Sequence, residues 1–178
     1  PWCEGRPGWH TECCVMIDTI FKGMIDIHGG GMDLRFPHHE NEIAQAEMTH
    51  QNHLANYWIH NAMMNIKGEK MSKSLGNVIL AKDAINEYGS DLVRLTLLNA
   101  PYRSIINFSD KTLADNRSIL QKLSSCYKQL NLYININGLM DKISHNSPKM
   151  EGFLNALSSD INVGNGITEM LEIIKKSN

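Results

Sequence analysis

The chain has no apolar run near the roughly 20 residues that a bilayer-spanning helix needs, and no charged start followed by an apolar signal segment. A soluble, cytoplasmic protein is therefore expected, with no membrane partner. Cysteine is sparse and unpatterned: Cys3, Cys13, Cys14 and Cys126 lack the dense spacing of a disulfide scaffold, and adjacent Cys13 and Cys14 bridge poorly to one another. Reduced thiols are expected. A basic excess is missing as well, since the formal net charge is -2, so there is no general field for nucleic acid and any RNA contact must be local. Internal repeats and low-complexity tracts are absent. The opening PWCEGRPGWH has no initiating methionine and consists largely of turn residues. A fragment of a longer chain, cut inside a domain, is the expectation.

What is present suits one sizeable domain, or one domain with a helical appendage: 178 residues, 42% of them hydrophobic. The segment Met24 to Glu42, MIDIHGGGMDLRFPHHENE, organises the rest. Met24 to Ile27 alternates as a strand does, and Gly29, Gly30 and Gly31 are expected to end it where a side chain would block a ligand or a neighbouring backbone. Pro37 suits the first turn of a helix continuing to about His50, with Ile43, Ala46 and Met48 packing inward. His38 and Glu42 then share one helical face, which can hold a metal at the carboxyl end of a strand.

Around this segment the spacing predicts a helix from Trp9 to Phe21, closed by Gly23, with Cys13, Ile17 and Ile20 along one side. Taken alone, Cys13 reads as a buried thiol. Tyr57 to His60 reads as a short strand. Ala81 to Tyr88 and a second helix through Leu92, Leu95 and Leu98 form a pair, Ser90 serving as the cap of the second. Ser109 is expected to cap a much longer helix bearing Leu113, Leu120, Leu123, Tyr127, Leu130 and Ile134. A polar link from Asn135 to Ser147 leads to a helix starting at Pro148, with Met150, Phe153, Leu154 and Leu157 as its apolar stripe. The last helix, near Ile167 to Lys176, buries Met170, Leu171 and Ile174.

Lys70, Met71, Ser72, Lys73 and Ser74 make a polar loop with two ammonium groups and two hydroxyls. Such a loop can follow a triphosphate and neutralise the charge that develops as pyrophosphate leaves. Read in isolation, the same residues also suit an ordinary solvated loop.

Three motifs together, GWHTEC at 8–13, HGGGMDLRFPHHENE at 28–42 and KMSKS at 70–74, resemble the carboxyl half of the cysteinyl-tRNA synthetases, class I aminoacyl-tRNA synthetases. The resemblance is close from Gly5 to about Ser109 and looser through the helices beyond. It implies a zinc ion that binds the substrate thiol, with Cys13, His38 and Glu42 as ligands by motif position. It also implies Lys73 as the leading ATP-binding residue, assisted by Lys70, Ser72 and Ser74. Trp9 and His28 would wall the amino-acid pocket, and Asp33 would meet the substrate ammonium. His39 is assigned to packing behind the ligands or on the helix surface, pointing away from His38 and Glu42, and Cys14 to packing as well. The partners implied are cysteine, ATP with magnesium, and tRNA(Cys), on a monomeric enzyme.

The implied architecture is α/β. Residues 1–66 form the second half of a Rossmann-like parallel sheet with the zinc site, residues 67–109 the KMSKS connecting region against the acceptor stem, and residues 110–178 an α-helical bundle region. The family's HIGH motif and a fourth, cysteine, ligand are absent from this sequence, and Cys3 is a poor stand-in. The isolated chain is therefore expected not to activate cysteine. Two rivals remain at this level: a cysteine ligase to an aminosugar of the mycothiol-pathway type, and a noncatalytic zinc- or RNA-binding module derived from a synthetase.

Overall fold

A computed structural model describes residues 3–139 and 150–177. The chain divides into two compact units, Pro1–Met63 and Met64–Asn178.

The first unit is a βαβ arrangement with one preceding helix. Helix α1 spans Trp9–Phe21 and stops at Lys22, which adopts a left-handed conformation (φ 61°) and donates its N–H back to the Asp18 carbonyl. Strand β1, Ile25–Gly31, runs parallel to β2, Ala55–Asn61, with Ile27 opposite Tyr57 and Gly30 opposite His60. Parallel strands need a crossover, and α2, Glu40–His50, supplies it. Ile17 of α1, Ala46 of α2 and Leu54 before β2 form the buried core, flanked by Ile25 and Trp58.

Some sequence expectations hold here and others change. The glycines end the strand from within, as its last three residues, held by the ladder to Ile59, His60 and Asn61. Pro37 opens the helical turn that runs directly into α2, as a first-turn proline is expected to do. Its predecessor Phe36 is extended (φ -133°, ψ 133°), as the steric clash with a following proline favours, and regular helix starts at Glu40. Ile20 and Met48 are 68% and 84% exposed and so face away from the core.

The second unit has a small sheet and a series of helices. Strand β3, Met64–Ile66, pairs antiparallel with β4, Glu69–Lys70, across a turn at Lys67 and Gly68, and parallel with β5, Ile106–Phe108. Between them lie α3, Ala81–Tyr88, and α4, Ser90–Leu98, and beyond them α5, Asp110–Asn137, α6, Glu151–Ser158, and α7, Val163–Ser177. Ile66, Ala84, Leu92, Val93, Phe108 and Leu113 make the buried core, with Met64, Met71 and Ile79 packed on it.

Ser109 does cap α5: its hydroxyl accepts from the Thr112 N–H, and the Thr112 hydroxyl accepts from the Ser109 N–H. Ser90, by contrast, is the first helical residue of α4 after Gly89, and makes no side-chain cap. The long helix continues through Asn137 and closes on left-handed Gly138, so the first three residues of the expected link are helical. The expected helix start at Pro148 lies outside the described residues. α7 begins at Val163, a turn earlier than expected. Tyr127, Leu130 and Leu154 are 68%, 54% and 56% exposed, so these members of the apolar stripes are not core. Among the described residues no helix is long and apolar enough to cross a membrane.

Leu92 is 3% exposed at the centre of the second unit's core. Replacing it with alanine removes buried methyl groups and leaves a cavity, so Leu92→Ala is expected to destabilise this unit by about 2–5 kcal/mol in a denaturant titration.

Candidate functional site

The first unit gathers its chemistry around Glu42. This side chain lies in the first turn of α2 and is fully buried at 0% exposure. A carboxylate without water needs positive or hydrogen-bonding partners, because an uncompensated buried charge is strongly unfavourable. Glu42 Oε2 accepts a 2.7 Å hydrogen bond from His28 Nε2 on β1. Glu42 Oε1 lies 2.8 Å from His38 Nε2, one helical turn back, yet this oxygen has no aligned hydrogen-bond donor. Cys13 Sγ on α1 lies 3.6 Å from the same His38 nitrogen. One donor atom from each of Cys13, His38 and Glu42 falls within 4.8 Å of the others, and His28, His39 and Glu42 form a second such group.

The electrostatics of this cluster are those of a site short of positive charge. Burial, then the Glu42 charge, pushes the Cys13 thiol above its ordinary range. Cys14, whose Sγ donates to the Glu42 carbonyl at 3.5 Å, is pushed up to about 11 by burial, again with Glu42 second. A soft sulfur, an imidazole and a carboxylate, with one buried oxygen lacking a donor, fit a divalent metal of the zinc type.

Aromatic rings enclose the cluster. Trp9, itself 62% exposed, sets its ring 4.1 Å from that of His38. His28 meets Trp58 edge-on at 4.7 Å, and His39 lies 4.8 Å from His28 and 5.1 Å from Trp58. His39 is thus not a helix-surface residue pointing away from the ligands. It is 3% exposed and hydrogen-bonded through Nδ1 to His60 Nε2 at 2.8 Å, and burial lowers its pKa. Helix geometry alone does not place it, because the residues that cover it, Trp58 and His60, come from β2. His60 and Trp58 were not foreseen at all. Their signal was the alternation of β2, which puts both on one side of the strand.

The glycine strand completes the wall. A Cβ at Gly30 would lie 2.9 Å from both His39 Cε1 and Leu34 Cδ1, and one at Gly29 would lie 3.1 Å from the Ile59 carbonyl oxygen. Bare backbone is required there for the His39 ring to lie where it does. Asp33 stands exposed on the short helical turn Met32–Leu34 that follows.

In the second unit the lysine loop leaves β4 at Lys70. Met71 packs on the core, Ser72 opens the short turn Lys73–Leu75 by accepting from the Ser74 N–H, and the two serine hydroxyls lie 2.7 Å apart. Lys70 and Lys73 are both exposed. Their ammonium groups are free to meet an anion.

Residues 1–118 match the family described as tRNA synthetases class I (C) catalytic domain. The whole chain aligns with the cysteine–tRNA ligase of Shouchella clausii at 44% identity over 182 residues, which is 39% of that protein. The cysteine–tRNA ligase of Acholeplasma laidlawii is 47% identical over 157 residues, covering 87% of this chain and 36% of the relative. This chain therefore spans about two-fifths of the length of these curated relatives. Among solved structures, the Agrobacterium radiobacter LeuRS in its ternary complex with tRNA and LeuAMS matches with a TM-score of 0.65 at 19% identity, covering 84% of this chain and 22% of that one. Mycobacterium tuberculosis methionyl-tRNA synthetase in complex with methionyl-adenylate matches with a TM-score of 0.62 at 18% identity, over 85% and 33%. These neighbours share a Rossmann-like fold to which the parallel β1–β2 pair corresponds.

The raised thiol gives a direct test. In the metal-free chain, iodoacetamide is expected to modify exposed Cys3 at pH 8 while Cys14 reacts only as the pH approaches 11, read residue by residue by mass spectrometry. The folded state holds the Cys14 proton to about 11 against an ordinary 9.0. The unfolded chain therefore binds fewer protons in that window, and this contribution to stability is present below pH 9 and lost as pH rises through 11. Cys14→Ala should flatten that loss.

Proposed function

Because the chain belongs to the class I tRNA synthetase (C) catalytic-domain family, we propose that it is the thiol-recognising and KMSKS-bearing part of a cysteine–tRNA ligase. The observation that carries this reading is the convergence of Cys13, His38 and Glu42, a donor set suited to a metal that prefers sulfur. The name cysteine–tRNA ligase shared by relatives over the full chain agrees with it.

In this reading Cys13, His38 and Glu42 hold zinc. A bound zinc ion supplies Lewis acidity that favours a substrate thiol as its thiolate and leaves serine's hydroxyl poorly bound. His28 holds Glu42 in place through their 2.7 Å hydrogen bond, as metal-ligating groups are commonly oriented by a neighbour. Trp9 and His28 wall the amino-acid pocket and Asp33 meets the substrate ammonium. Lys73, with Lys70, Ser72 and Ser74, holds the triphosphate of magnesium-bound ATP. The carboxylate of cysteine attacks the α-phosphate, the bond to the β-phosphate's bridging oxygen breaks, and cysteinyl-adenylate and pyrophosphate result. A hydroxyl of the tRNA's 3′-terminal ribose then takes the cysteinyl group and AMP leaves. Placement and charge neutralisation carry this chemistry, with no covalent enzyme intermediate. Residues 67–109 would face the acceptor stem, and the helices of 110–178 would form the bundle region beyond it.

The test joins metal content to acceptor choice in the intact enzyme carrying this chain. About one zinc ion per chain is expected by elemental analysis, falling sharply in Cys13→Ala and His38→Ala. Charging of tRNA(Cys) is expected with cysteine, and with serine at least about 10⁴-fold less efficiently. Transfer of cysteine to an aminosugar instead of tRNA, or equal use of serine, would overturn the proposal.

A further inference from the structure

We propose that Asn77, which lies just past the lysine loop, is a positioning residue that braces the loop for its anion. The inference rests on the reading of Lys70 and Lys73 as the triphosphate contacts, and it adds a residue that none of the motif positions supplies.

The observation is a two-ended clamp. Asn77 Oδ1 accepts from the Ser72 N–H at 2.8 Å, and Asn77 Nδ2 donates to the Lys70 carbonyl at 3.1 Å. One planar amide thus ties down the backbone on both sides of Met71. Only a side chain with a donor and an acceptor at the same end can do this, which among residues of this length means asparagine. Aspartate would keep the acceptor and place a second oxygen against the Lys70 carbonyl. Alanine would lose both bonds.

The chain is shaped to bring Asn77 back. Leu75 N–H donates to the Ser72 carbonyl and Gly76 N–H to the Lys73 carbonyl, each at 3.2 Å. Gly76 then adopts a left-handed conformation (φ 66°, ψ 12°), which glycine reaches without the Cβ clash that other residues meet. On the other side, the Met71 side chain packs on the core of the second unit and its N–H donates to the Met64 carbonyl at 3.4 Å. The loop is therefore fixed at Met71 by packing and across Lys70 to Ser72 by Asn77, while both ammonium groups stay in water. A pre-shaped loop loses less entropy when it meets a polyanion, and a misplaced one forfeits rate.

Two readouts on three variants of the intact enzyme decide the matter. In ATP–pyrophosphate exchange, Asn77→Ala is expected to lower kcat/KM for ATP about tenfold or more while the KM for cysteine stays within about twofold. Asn77→Asp, keeping one of the two bonds, should fall between it and the unaltered enzyme. Hydrogen exchange should show faster exchange at the Ser72 amide in Asn77→Ala, with the melting temperature unchanged. Lys73→Ala serves as the reference for the ATP reading. If Lys73→Ala impairs exchange and Asn77→Ala does not, the brace is wrong. If Asn77→Ala weakens cysteine and ATP alike and lowers the melting temperature, the residue is only structural and the proposal is again overturned. If Lys73→Ala has no effect, the ATP reading fails, and retained protection at Ser72 in Asn77→Ala would remove the brace with it.

Discussion

Glu42 holds its carboxylate out of water altogether, and the first unit is arranged to tolerate that. Its two oxygens face His28 from a strand and His38 from the approach to the same helix, while Cys13 arrives from α1. Three separate elements therefore converge on one acidic group. The usual reason to bury a polar residue is that its partners satisfy it, and here one oxygen lacks an aligned donor. The proposed metal would account for that shortfall. Its positive charge would also favour the thiolate of Cys13, which burial and the Glu42 charge disfavour without it.

Much of this was legible from local spacing. The four-residue interval between His38 and Glu42 sets them one above the other on a helical turn, and their side chains do meet at 2.8 Å. The Ser109 cap and the bounds of α1 and α3 were equally local, set by turn residues next to amphipathic runs. What was not legible depended on tertiary neighbours. Helical spacing turns His39 away from the face of His38 and Glu42, but it carries no sign of β2, which packs against that ring. Its partner His60 comes from a strand 21 positions further on, and only the parallel register opposite Gly30 brings it into place. Met48, Tyr127 and Leu130 fit apolar stripes by periodicity, yet periodicity cannot say how wide the covering surface is. Cys13 could be picked out as a candidate ligand only through the resemblance; on its own helix it is indistinguishable from a packed thiol.

The two units handle charge in opposite ways. The first sequesters a carboxylate and several imidazoles among aromatic rings, where each interaction is strengthened by exclusion of water. The second leaves Lys70 and Lys73 hydrated and fixes only the backbone that carries them. Membership of the class I synthetase family gives this contrast a meaning. Under the proposed function, recognition of a small thiol would call for a rigid, dry, pre-formed centre. A triphosphate that enters and a pyrophosphate that leaves would call for charges that can be exchanged against water.

The glycine strand beside the cluster has a further consequence, for heritable variation. Any substitution at Gly30 adds at least a Cβ, and the space it would occupy is already filled by the His39 ring and the Leu34 side chain. Most sites in a protein offer a smaller or similar neighbour to which a point mutation can retreat. This one does not, because its residue is already the smallest there is, and compensation would have to come from moving His39 and thereby its bond to His60. Drift at this position is closed in every direction, while exposed Ile27, three residues earlier on the same strand, remains open to it.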